Sequence, residues 1–122
     1  MSQVMYIIVN QDLNMNTGQI GTYTAWSVLD YMHWKLPANI GNYDNLKIYR
    51  ALDKRISDFK EYGSEIIILK AHEKDLLKLE REGYLTIRTK GLTGTNSDNI
   101  VTVNLGIYNK DIPKWIKKFE TL

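Results

Sequence analysis

Cysteine is absent from the 122 residues, which excludes disulfides, thiol catalysis and thiolate metal sites and fits a reducing compartment such as the cytoplasm. Histidine is scarce. His33 and His72 stand far apart and no ligand spacing such as His-x-x-x-His occurs, so neither a metal nor another cofactor is expected. Charge of one sign is also lacking: 16 Lys plus Arg face 14 Asp plus Glu, and a formal charge of +2 is too small for an electrostatic nucleic-acid footprint. No stretch approaches the ~20 apolar residues needed to cross a bilayer, and the apolar run ending at Val9 has no basic segment before it. The expectation is a soluble cytoplasmic protein with no membrane partner. Repeats, low-complexity tracts and linker-like shifts are missing too, so residues 1–122 read as one domain.

What is present has a clear order. Val4 to Val9 is apolar at every position, as in a central strand buried on both faces. Gly18 to Trp34 shows helical periodicity in Ile20, Thr24, Val28, Leu29 and Met32, and stops before Pro37. A second helix is expected from Asn45 to Tyr62, with Leu46, Tyr49, Leu52, Ile56 and Phe59 on one stripe. Ile66 to Leu69 reads as another buried strand, followed by a short helix, Glu73 to Glu82, stopped at Gly83. Tyr84 to Lys90 and Ile100 to Leu105 alternate like paired strands, the first near an edge, with a polar loop from Gly91 to Asn99 between them. Asp111-Ile112-Pro113 looks like an N-cap with proline at the first helical position, opening a last helix through Trp115, Ile116 and Phe119. The order β-α-α-β-α-β-β-α predicts an α/β protein, a three-layer α/β/α sandwich with a mixed four-stranded sheet.

Four strings hold a common register. Asp12-Leu13-x-Met15 with Gly18, then Gly63-x-x-Ile66-Ile67-Ile68-Leu69-Lys70, then Gly83 through Thr93, then Val101 through Ile107 together resemble the type-2 peptidyl-tRNA hydrolase family. The resemblance runs from Val4 to about Lys118. It implies that family's fold and a cleft beside the start of the first helix. Residue by residue, the chemistry departs. The family's helix-start Lys falls on Gln19, its helix Gln on Tyr23 and its His on Trp26; the Asp of its Asp-Ala-Gly-Arg-Thr segment falls on Thr89 and the Arg on Leu92, and only the final Thr is kept, as Thr93.

Cleaving the ester between peptide and tRNA needs an activated water and stabilisation of the oxyanion. Gln19, Tyr23, Trp26 and Thr89 supply hydrogen bonds and ring faces, and none titrates near neutral pH. The implied protein is a pseudoenzyme: a peptidyl-tRNA hydrolase-like binding protein taking a nucleotide-type ligand or a tRNA end, by capture or sequestration. Candidate ligand contacts are Asn14, Gln19, Tyr23, Trp26, Thr89, Thr93 and Asn96. Stacking on Tyr and Trp with hydrogen bonds from Gln is a common way to hold a base.

Two other readings stay open. One is an active hydrolase with a displaced set drawn from Asp12, Asp30 and His33, with His72 taken as a surface residue. The other is a protein-interaction module, in its simplest form a homodimer, since aromatic residues at helical spacing pack against a sheet or a partner more often than they bind ligands. Trp34, Tyr108 and Trp115 are its candidate anchors.

Overall fold

The unbroken apolar run near the amino terminus becomes the strand around which the sheet is built. The computed structural model describes residues 3–35, 65–89, 98–109 and 112–122, and for 33–35 the backbone only. In chain order these form β1 (Val4–Asn10), a 3-10 turn (Gln11–Leu13), α1 (Thr17–Lys35), β2 (Glu65–Ala71), α2 (Glu73–Arg81), β3 (Leu85–Arg88), β4 (Ile100–Tyr108), α3 (Lys114–Lys117) and β5 (Glu120–Thr121).

The strands make one mixed sheet in the order β3-β4-β1-β2-β5. β1 runs parallel to β2, with Val4 opposite Glu65 and Asn10 opposite Ala71. On its other side it is antiparallel to β4. Alternation along β1 feeds two clusters. Tyr6 and Ile8 pack with Leu69, Ala71, the α2 residues Leu76 and Leu79, and Ile116 of α3. Met5 and Ile7 pack on the opposite face with Tyr31, Val28 and Met32 of α1. Helices thus cover both faces of the described sheet. Met5, Ile7, Ile8 and Leu76 are fully buried, each contributing ~1.5–3 kcal/mol by leaving water.

Two bulges shape β4. Tyr6 faces Gly106 while its neighbour Ile7 faces Asn104, leaving Leu105 as an extra residue. Leu105 therefore joins the α2 side and Ile107 the α1 side, although residues two apart in a regular strand share a face. Gly106 sits at φ 93°, a left-handed conformation glycine adopts without a Cβ clash, and its N–H donates to Asn104 Oδ1 at 2.8 Å. The second bulge sets Ile87 opposite Thr102 and Arg88 opposite Ile100.

Several expectations are corrected. The sheet has five strands and not four, and the described chain closes on a strand, because Leu69 and Lys70 at the edge of β2 recruit Thr121 and Glu120. The last helix is a single turn ending at Lys117, so Phe119 lies beyond it and packs back onto the core. Pro113 is its N-cap rather than its first helical residue. Leu29 is not a core residue of α1: it is 57% exposed, and Tyr31 takes the inward position. β2 is buried only toward its carboxyl end. The expected helix from 45 to 62, most of the loop from 91 to 99, and Asp111 lie outside the described residues. None of the described helices is long and apolar enough to cross a membrane.

An ion pair fastens α2 to the edge strand. Glu80 accepts from Arg88 Nε at 2.9 Å and from Arg88 Nη2, and takes a third bond from Thr86 Oγ1 at 2.9 Å. The Arg88 bonds hold the Glu80 carboxyl below its ordinary 4.5. A depressed carboxyl pKa stabilises the fold above the unfolded value, and that contribution disappears as pH falls through the lower folded value. Glu80→Gln is expected to cost ~1 kcal/mol at neutral pH in urea denaturation, with the difference from the native chain closing as pH falls below the ordinary 4.5 and through the lower folded value.

Candidate functional site

β1 and β2 are parallel neighbours, so their carboxyl ends open at the same edge of the sheet, which is where ligands bind in open α/β sheets. Asn10, the last residue of β1, is 1% exposed. Its amide donates to the Ile100 carbonyl at 2.7 Å, and its Oδ1 accepts from Asp12 N–H at 2.9 Å. The 3-10 turn is thereby fixed to the strand. Asn14 then takes a left-handed conformation at φ 49°, which asparagine tolerates better than most residues, and the chain turns toward α1.

The start of α1 is a reciprocal cap. Gln19 N–H donates to Asn16 Oδ1 at 2.8 Å while Asn16 N–H donates to Gln19 Oε1 at 3.0 Å. Gln19, expected as a ligand contact, thus serves the helix end. Farther along, Tyr23 is half-buried and Trp26 is 42% exposed, their rings meeting edge to face at 5.8 Å and 76°. Trp26 faces outward, not into the core. Asp30 and Leu29 share that exposed side. His33 belongs to α1, but its side chain is outside the described residues, and so are Thr93 and Asn96.

Buried polar groups share the seat of α1 with Met5 and Ile7. Thr24, Ser27, Thr102 and Asn104 are all buried, and Asn104 Nδ2 donates to the Ser27 carbonyl at 3.3 Å. Thr89 brackets the end of β3: its N–H donates to the Asn99 carbonyl at 2.9 Å and its Oγ1 accepts from Asn99 N–H at 3.0 Å. It too is engaged in holding the loop ends together.

His72 is a surface residue, as expected, but it has partners across the strand ends. Its Nδ1 lies 2.7 Å from Asp12 Oδ1, and its Nε2 is 3.3 Å from Gln11 Nε2. Asp12 Oδ2 accepts from Glu73 N–H at 2.9 Å, so a carboxylate from the β1 turn caps α2, whose own N-cap residue makes no side-chain cap bond. The Glu73 N–H, and then His72, hold the Asp12 carboxyl below its ordinary 3.8. Of the displaced candidates, then, Asp12 has a histidine partner, and it is His72. The pairing follows from strand order. Asp12 and His72 each lie just past the end of a strand, and those strands are neighbours.

Among the described residues no group of three His, Asp or Glu side chains gathers to hold a metal. Two grooves of about 320 Å3 each open around Tyr84: one lined by Leu79, Trp115 and Phe119, the other by Tyr31, Leu105 and Gly106. Tyr84 is tilted against Trp115 at 5.8 Å, and burial pushes the neighbouring Tyr108 hydroxyl up to about 12. Trp115 and Tyr108 are therefore half-buried packing residues of this cluster. No family model matches the sequence and no curated protein matches it, so the likeness to type-2 peptidyl-tRNA hydrolases stands on its residue strings alone.

Proposed function

We propose that this is a catalytically degenerate, peptidyl-tRNA hydrolase-like binding protein that receives a nucleotide-type ligand or a tRNA end on the outward face of α1. One observation carries the reading: the Trp26 ring is 42% exposed and braced edge to face by Tyr23, on the side that the resemblance implies as the cleft wall. An indole held in this way offers a flat, pre-ordered surface for stacking, worth ~1–3 kcal/mol per base. The titrating groups of the family's set are replaced at Gln19, Trp26 and Thr89, and Gln19 and Thr89 are engaged in local hydrogen bonds. Binding without turnover by the family's route follows.

Thermal unfolding with a panel of nucleotides and a short CCA-ended RNA tests it. A ligand at 100 times its Kd is expected to stabilise the native chain by ~2.7 kcal/mol. Trp26→Ala should leave stability within ~1 kcal/mol, since the ring is substantially solvated, and should abolish the ligand-dependent gain. An equal gain in Trp26→Ala contradicts the assignment.

Leu29, 57% exposed and one turn beyond Trp26, favours a second reading, in which the same face pairs with another copy of the chain. Native mass spectrometry would then find twice 14.2 kDa for the native chain and 14.2 kDa for Trp26→Ala.

A further inference from the structure

We propose that Asp12 and His72 form a general-base pair that activates water against carboxylic esters. The inference does not depend on the α1 face. It rests on two side chains, 60 positions apart, meeting at 2.7 Å just past the carboxyl ends of β1 and β2.

The arrangement fixes the protonation pattern that a base requires. Asp12 is ionised and anchored through its other oxygen to Glu73 N–H at 2.9 Å, so it accepts from His72, and Nδ1 carries the proton. That leaves the lone pair on Nε2, where the Gln11 amide nitrogen at 3.3 Å is placed to donate. A water displacing that amide meets the same lone pair. The side chains of His72 and Asp12 are 55% and 46% exposed, so water and a small ester reach Nε2 once the Gln11 amide swings aside. Among the described residues, Asp12 is the charged group in contact with the ring, Lys74 acts on that carboxylate, and Glu73 and Asp75 stand with it in the first turn of α2; the Asn10 amide lies 3.5 Å from Glu73 Oε1.

The step balances without a co-reactant. His72 Nε2 takes one proton from water as the water oxygen bonds to the ester carbonyl carbon, and the carbonyl electron pair moves onto its oxygen. Collapse of this tetrahedral species breaks the bond to the alkoxy oxygen, and the imidazolium returns its proton to the leaving alkoxide or phenoxide. One ester and one water give one acid and one alcohol. The pair supplies proton transfer and no dedicated oxyanion donors, so esters with good leaving groups fit it and amides do not. Asp12 is a positioning residue: it orients His72 and touches no substrate.

The test uses the full chain with 4-nitrophenyl acetate. Hydrolysis is expected to exceed that of the same concentration of free imidazole by ~10²-fold, with a solvent deuterium isotope effect. His72→Gln, on the surface and outside the core, should fold normally by circular dichroism and return the rate to background. Asp12→Asn keeps an acceptor for Glu73 N–H but loses the anion. It should therefore lower kcat while leaving KM within ~2-fold, a split that a merely structural role would not give. A rate unchanged in His72→Gln overturns the proposal, and so does a burst of nitrophenol with an accumulating acyl-enzyme, which would make the imidazole a nucleophile. The nucleotide-dependent stabilisation should be the same in His72→Gln as in the native chain, so the two assignments succeed or fail separately.

Discussion

Replacing Asn10 by alanine is expected to lower the unfolding free energy by ~2–4 kcal/mol, among the largest effects of any polar substitution in this chain. The side chain is 1% exposed and joins three segments: it ends β1, donates to the Ile100 carbonyl at 2.7 Å, and receives the Asp12 N–H at 2.9 Å. Alanine removes both bonds, together with the longer one to Glu73 Oε1 at 3.5 Å, and leaves the space of an amide in the interior. Asn10→Asp is an informative companion, because it keeps the acceptor for Asp12 while turning an oxygen toward the Ile100 carbonyl. It should be as damaging as alanine. Urea denaturation of the three chains checks both, and a loss below ~1 kcal/mol for either would show that this hydrogen-bond junction is not what holds the strand end. The same substitution loosens the turn carrying Asp12, so any hydrolysis dependent on His72 should fall with it.

The second large effect is expected at Gly106. A left-handed backbone costs an alanine ~1–2 kcal/mol, and at φ 93° the added Cβ would also sit 3.2 Å from Tyr31 Oη and 3.6 Å from its Cε2. Tyr31 is itself 7% exposed and packed with Met5 and Ile7, so it has little room to withdraw. Gly106→Ala should cost ~2–3 kcal/mol in total. A cycle with Tyr31→Phe separates the two contributions. Removing the hydroxyl relieves the closest approach and leaves the backbone penalty, so the double variant should be more stable than the sum of the singles by ~1 kcal/mol. Strict additivity would assign the whole loss to the backbone.

Much of this architecture was legible from periodicity. The apolar run of β1, the helix opening near Gly18 and the Glu73 helix stopped at Gly83 all lie where the sequence pattern puts them, as does the edge strand beginning near Leu85. Local rules suffice there because each element carries its own start and stop. β5 was not legible. Two residues have no measurable period, and Glu120 and Thr121 become a strand only because β2 offers them Lys70 and Leu69. The bulge at Leu105 was hidden for a related reason: the sequence shows a glycine in a strand, while its positive φ and the Tyr31 ring beside it are what disfavour a side chain there.

The candidate site divides in the same way. Trp26 and Tyr23 could be placed together from helical spacing alone, and the structure adds that Trp26 turns outward. Gln19 was read as a ligand group because of what it replaces, while Asn16 three residues earlier was the sign of a capping pair. His72 looked like an isolated surface residue. Its partner is remote along the chain, and the signal that links them is indirect: each follows an apolar strand, and parallel strands placed side by side bring their following residues into contact.

The pairing of β1 with β4 has a consequence for how the chain is made. Val4 finds its partner at Tyr108, so β1, the first of the described strands to be made, waits until residues 100–108 follow before its antiparallel neighbour exists. During that interval the pairing available among the described strands is that of β1 with β2, with Met5, Ile7 and Ile8 incompletely covered. A nascent chain released before β4 would therefore carry its most apolar strand on an open edge, the form most prone to pair with a copy of itself.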